Sequence, residues 1–213
     1  MEKMLKNKIV IIGNGTINDI IFHKKLLENV DLIICADGGA NNAKQMDMIP
    51  DYIIGDLDST SSDVLEFFKH HKTKIIKDND QDKTDMELAI SLAESFNPNE
   101  ILILGAIGYR IDHTLANILC LNKIKSSIKT QIIDDRNIIE LVDNSKDIIG
   151  EKDEIISIIP LTDILGLSYK GMKWLISNKN IKFGWFGISN KLIKKKVHIS
   201  LKKGKLLIIR VRD

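Results

Sequence analysis

Two cysteines, three prolines and no apolar run long enough to span a bilayer set the first limits on this 213-residue chain. Cys35 and Cys120 are too few for a disulfide framework or a zinc centre. Each lies in an apolar pattern, so both are expected to be small buried hydrophobes. The opening M-E-K-M-L-K-N-K is charged and runs straight into apolar sequence, so no signal peptide is expected. The expectation is a cytoplasmic protein with no membrane partner. Net charge is nearly absent as well, at +2, so the total gives no reason to expect nucleic acid as a partner.

What little net charge there is hides an asymmetry. Residues 1–150 carry 17 Lys/Arg against 24 Asp/Glu, a net of −7, whereas residues 151–213 carry 14 against 5, a net of +9. A change of sign of that size marks a domain boundary. The apolar fraction of 44% is ordinary for a globular protein.

The patterning changes at the same place. Up to about residue 143, short apolar runs alternate with helical stretches. Strands are expected at 8–12, 31–36, 52–54, 74–76, 101–104 and 130–133. Helices are expected at 17–28, from 40 to about 46, and at 61–70, 85–96 and 112–125. Runs that are apolar throughout belong to parallel strands covered on both faces. Beyond residue 144 the helical period disappears, and β-like runs at 154–159, 164–167, 174–176, 183–186, 196–201 and 206–211 are separated by Gly, Asn and Lys clusters. The fold class that follows is α/β: a Rossmann-like parallel sheet with helices on both faces over residues 1–143, then a small antiparallel β-sandwich over 144–213.

In such sheets ligands bind beyond the carboxyl ends of the strands. Four acid-bearing loops follow strand ends. P-D-Y-I-I-G-D-L-D-S (50–59) presents Asp56 and Asp58, which project alike if the chain is extended. A like-charged pair is costly without a cation between its members. Mg²⁺, a hard ion that accompanies phosphates, fits, although a solvated turn explains the pair equally well. Residues 78–85, D-N-D-Q-D-K-T-D, supply a second acidic run. Thr84 and Glu87 have capping-box spacing, and Asp85 suits the first turn of a helix. Asp37-Gly38-Gly39-Ala40-Asn41 is either a tight strand-to-helix turn or a close backbone approach to a ligand. In Gly108-Tyr109-Arg110-Ile111-Asp112-His113, Asp112 is expected as an N-cap, while Arg110 is a planar donor suited to phosphate or a nucleotide edge. His113 stays ambiguous, and His23, His70, His71 and His198 read as surface residues. Trp174 and Trp185 fit core packing, and 187–190 fits a turn.

Taken in order, A-D-G-G-A-N (36–41), P-D-x-x-x-G-D-x-D-S (50–59), D-Q-D-K-T-D (80–85), G-x-R-x-D-H (108–113), G-M-K-W-L (171–175) and G-I-S-N (187–190) resemble the thiamine pyrophosphokinase family across the whole chain. Two positions depart from its pattern: Tyr109 stands where a second glycine is expected, and Lys191 where an acid is expected. The resemblance implies an ATP- and Mg²⁺-binding first domain and a second domain that binds thiamine and dimerises. It also implies a homodimer with thiamine near the subunit interface. The activity implied is transfer of the pyrophosphoryl group of ATP to the thiamine hydroxyl, yielding AMP. Asp37, Asp56, Asp58 and Asp85 would be the catalytic acids, with Asp56, Asp58 and Asp85 on the metal and Asp37 orienting the hydroxyl. Gly38, Gly39, Asn41, Gln81, Thr84, Arg110, Asp112 and His113 would hold the nucleotide, and Trp174, Ser189 and Asn190 the thiamine. A pyrophosphokinase of similar architecture acting on a hydroxymethyl pterin, and a D-x-D nucleotide-sugar transferase, are the alternatives.

Overall fold

The computed structural model describes residues 7–78, 80 and 82–212, and the chain divides into two compact units, residues 1–135 and 136–213. Among the described residues no helix is long and apolar enough to cross a membrane.

The N-terminal unit is an α/β layer structure. Its strands are β1 (Lys8–Ile12), β2 (Leu32–Ala36), β3 (Tyr52–Gly55), β4 (Lys74–Lys77), β5 (Glu100–Leu104) and β6 (Lys129–Ile133). They form a parallel sheet in the order β6-β5-β1-β2-β3-β4. Every residue of β2 is buried, as are Ile9–Ile12 and Ile101–Leu104. That explains why these runs show no alternation: both sides of the strand meet protein. The helices are α1 (Ile20–Leu26), α2 (Gly39–Gln45), α3 (Ser62–His70), α4 (Asp85–Glu94) and α5 (Ile111–Cys120). The chain steps outward from β1 to β4, then returns past β1 to β5 and β6. With right-handed crossovers, α1–α3 cover one face and α4–α5 the other. The strand order reverses between β1 and β5, and such a switch point opens a crevice at the carboxyl ends.

The C-terminal unit is antiparallel throughout. One sheet runs β12 (Gly187–Lys191), β9 (Ile155–Pro160), β14 (Leu206–Val211), β7 (Asn137–Val142). The other runs β11 (Ile176–Ile181), β10 (Ile164–Tyr169), β13 (Lys196–Ser200), β8 (Ser145–Ile149). Buried residues of both, among them Ile156, Ile158, Ile208, Leu167, Val197 and Ile199, form one core, so the sheets pack face to face as a sandwich.

Several local expectations are corrected. The first strand of the C-terminal unit begins at Asn137, and β7 and β8 carry no expected run. Glu140 interrupts the apolar pattern of β7; it is buried and paired with Lys146 at 2.7 Å. Residues 177–180, read as a separator, are the middle of β11, an edge strand exposed on both faces and therefore without alternation. Residues 183–186 form a turn, pinned where Asp163 accepts from the Phe183 amide at 2.9 Å. Residues 187–190 are not a turn but strand β12, whose bulge and positive φ at Ser189 break the period. His23 is fully buried rather than on the surface, its Nδ1 bonded to the Asp19 carbonyl and 3.5 Å from Asp135. Cys35 and Cys120 are buried as expected.

Candidate active site

The crevice of the N-terminal unit is a cleft of about 380 Å³. Its floor is the loop after β1. Gly13 N and Gly15 N donate to the carbonyls of Leu104 and Gly105, and Asn42 Nδ2 bonds the carbonyls of both glycines at 2.8 Å. A Cβ on Gly15 would run into the Ile107 carbonyl, so the two loops close only over glycine.

The acids are held by strained backbone. Asp37 has φ +37° and is buried; its two carboxylate oxygens accept from Ser59 N at 3.0 Å and Thr60 Oγ1 at 2.9 Å. Asp56 and Asp58 do converge, but not through an extended chain. Leu57 sits at φ +67°, and Asp56 Oδ1 accepts from Asp58 N at 3.2 Å, which turns the loop back on itself. A bulky side chain there costs about 1–3 kcal/mol, so the turn is held by its surroundings. Asp85 heads α4 behind the Thr84–Glu87 capping box. Gly55, at φ +149°, makes room for it: a Cβ would lie 2.5 Å from Asp85 Oδ1 and 2.9 Å from the Asp37 Cβ.

One carboxylate oxygen each from Asp37, Asp56 and Asp58 lies within 4.8 Å of the other two. Burial first, then the charges of Asp37, Asp56 and Asp58, raise the Asp85 carboxyl above the usual carboxylate range. Hard-oxygen donors gathered this closely are what a divalent cation stabilises. Asp78, Asp80, Lys83 and Thr84 continue the wall, with Lys83 3.1 Å from Asp80.

A smaller lobe of about 160 Å³ joins the cleft through Asn14, Ser59, His113 and Asn117, and adds Gly15, Gly108, Tyr109 and Arg110. Arg110 is the N-cap of α5, and Asp112 is not. Asp112 lies in the first turn and accepts two bonds from Arg110, at 3.0 and 2.6 Å, which hold its carboxyl far below the usual range.

The C-terminal unit has its own cavity, of about 400 Å³, lined by Tyr169, Trp174, Lys179, Trp185, Phe186 and Asn190 among others. Both tryptophans therefore face one space. Asn190 is buried and its amide is engaged within the protein: Oδ1 accepts from Trp174 N (3.0 Å) and Lys191 N (2.9 Å), and Nδ2 donates to Trp174 O (2.7 Å). It fixes the Trp174 backbone. Lys173 Nζ lies 4.8 Å from the centre of the Trp174 ring, which shows that this ring accepts a cation.

Residues 23–132 match the family model described as "Thiamin pyrophosphokinase, catalytic domain", and residues 140–206 match "Thiamin pyrophosphokinase, vitamin B1 binding domain". The chain belongs to the thiamine pyrophosphokinase family. It is 35% identical over 189 residues to the thiamine pyrophosphokinase of Bacillus subtilis, covering 85% of this chain and 88% of that one. It is 30% identical over 209 residues to thiamine pyrophosphokinase 2 of Arabidopsis thaliana, covering 83% and 76%. The crystal structure of the Bacillus subtilis protein superposes with a TM-score of 0.85 at 32% identity, over 97% of this chain and 100% of that one. That of Geobacillus thermodenitrificans gives 0.84 at 26% identity, over 97% and 98%.

Within this thiamine pyrophosphokinase fold, the expected residues sort by position. Asp37, Gly38, Asp56, Thr84, Asp85, Asp112 and His113 line the large lobe, and Arg110 the small one. Asp58 joins through its carboxylate. Gly39 and Asn41 are not among the lining residues. Gly39 packs against the Ile12 carbonyl, and Asn41 staples the Ser59 carbonyl at 3.0 Å. Gln81 lies outside the described residues. Trp174 and Asn190 line the second cavity, whereas Ser189 is not among its lining residues; its amide bonds Ser157 Oγ at 3.1 Å. Sequence reasoning missed Asn42 and Asn117, and it gave Asn14 and Gly55 no role of their own. Asn117 was within reach, because it stands four residues after His113 and so shares its helix face.

Proposed function

We propose that the chain transfers the pyrophosphoryl group of ATP to the hydroxyl of thiamine, giving thiamine diphosphate and AMP, as a Mg²⁺-dependent homodimer in the cytoplasm. The carrying observation is the cluster of the Asp37, Asp56 and Asp58 carboxylates in the cleft, with Asp85 close enough to feel their charges. Its donors are all carboxylate oxygens, which suit Mg²⁺. When bound, the ion neutralises charge on the transferred phosphates.

The thiamine hydroxyl oxygen attacks the β-phosphorus; the new O–Pβ bond forms as the bond from Pβ to the α,β-bridging oxygen breaks, AMP leaves with that oxygen, and the hydroxyl proton passes to solvent. Catalysis of such a step is mainly positioning and charge neutralisation. Lys83, a cationic side chain in the lining of the large lobe, suits phosphate oxygens. Asp37, with both oxygens engaged by residues 59 and 60, serves the cage and its loop rather than acting as a free base. The aromatic cavity of the C-terminal unit takes the cationic ring of thiamine, with Trp174 as its face and Asn190 as the residue that positions Trp174. The match to a vitamin B1 binding domain supports this over a pterin or nucleotide-sugar acceptor. The apolar stripe Ile111, Leu115 and Leu119, exposed along α5, supports a homodimer.

The test is nucleotide release. AMP should form only when thiamine, ATP and Mg²⁺ are present together, and ADP as the product would overturn the reading.

A further inference from the structure

We propose that Tyr109 is a base-stacking residue, whose ring forms the platform on which the nucleotide base lies at the mouth of the smaller lobe. This rests on reading the N-terminal cleft as the ATP site.

The two lobes differ in chemistry. The larger carries the acid cluster, which suits metal-bound phosphates. The smaller has no carboxylate in its lining, and its one arginine is already neutralised by Asp112. A neutral, flat group suits it. Gly15, Gly108 and Ala106 give it low walls of backbone and methyl, and Asn14, Thr114 and Asn117 give it polar atoms.

Tyr109 stands at its rim with 90% of its surface exposed, more than any other large apolar side chain among the described residues. An aromatic ring left that bare loses the contacts that normally hold it. The loop beneath it is nonetheless anchored on both sides. Thr114 Oγ1 accepts from Gly108 N and donates to Gly108 O, both at 3.1 Å, and Arg110 is clamped on Asp112. A fixed loop presenting an unstacked ring beside a neutral slot is a stacking platform. Because every base has a π-face, base selectivity should be loose, with purines ahead of pyrimidines for their larger area.

Calorimetric titration of wild type, Y109F and Y109G with Mg²⁺-ATP and with Mg²⁺-tripolyphosphate, alongside AMP formation by the wild type, tests this. Y109G should raise the ATP Kd about tenfold, the range expected for one stacked base. Y109F should stay within about twofold of wild type, and tripolyphosphate, which has no base, should bind all three alike. An unchanged ATP Kd in Y109G overturns the proposal. So does an equal loss for ATP and tripolyphosphate, which would mean a disturbed loop. A wild type that binds no ATP and forms no AMP overturns the reading of the cleft instead, and the stacking role with it.

Discussion

The two cavities are built by opposite means. The N-terminal cleft concentrates charge: acids on backbone at positive φ, supported by hydrogen bonds to neighbouring loops. The C-terminal cavity works through surface: aromatic rings on a rigid sandwich, with its buried amide occupied in holding a tryptophan. A charge site is sensitive to small displacements and to the loss of single atoms. A surface site degrades in proportion to area. Perturbations of equal size should therefore have unequal consequences in the two units.

The sharpest contrast comes from Asp58→Asn. It removes one charge and no volume, and turnover should fall by roughly 10³-fold, as when a single oriented electrostatic group is lost. The melting temperature of the metal-free protein should barely move, because Asp58 is exposed and crowded by like charge. A large drop in Tm would make Asp58 structural. Gly55→Ala adds a single methyl, yet it should lower kcat by about 10²-fold and cost about 1–3 kcal/mol of stability. The methyl collides with Asp85 and Asp37 and strains φ. Retained kcat would show that the carboxylates tolerate displacement, and the distinction between the cavities would weaken.

Trp174→Ala removes far more matter. It should nevertheless raise the thiamine KM only about tenfold, in keeping with the loss of one cation–π face, and leave the ATP KM alone. Equal effects on both would return Trp174 to a packing role. Asp85→Asn tests the burden of crowded charge through stability. Its folded carboxyl is raised, so its ionised form is a burden at neutral pH. The variant should melt about 2 °C higher than metal-free wild type while losing activity. The difference should close on acidification into the carboxylate range, where wild-type Asp85 takes up its proton. Mg²⁺ should raise the wild-type Tm and leave the variant less changed.

These regions also differ in how far their sequence could be read. The parallel strands were legible because burial on both faces makes them continuously apolar, as in L-I-I-C-A at 32–36. The sandwich was legible as a class but not strand by strand. A buried ion pair at Glu140, a two-sided edge at 177–180 and a bulge at Ser189 each erase the alternation that marks a half-buried strand. In the cleft, Asp56 and Asp58 were visible as types and spacing. The Leu57 turn that brings them together was not, since nothing in Asp-Leu-Asp signals a leucine at positive φ. Asn42 was invisible for another reason: its partners are carbonyls 27–29 residues away in sequence.

The seam between the loops after β1 and β5 joins Gly13 to Leu104 and Gly15 to Gly105. Some ninety residues must be drawn into one closure before that seam exists, the kind of long-range contact that slows folding. Asp37, Asp56, Asp58 and Asp85 all leave the ribosome ahead of β5. A chain caught before closure would carry its acids without the floor beneath them, repelling one another with no crevice to hold a counter-ion. Arrival of β5 therefore lays the floor of the cleft, and a ligand that binds only the closed form would favour it.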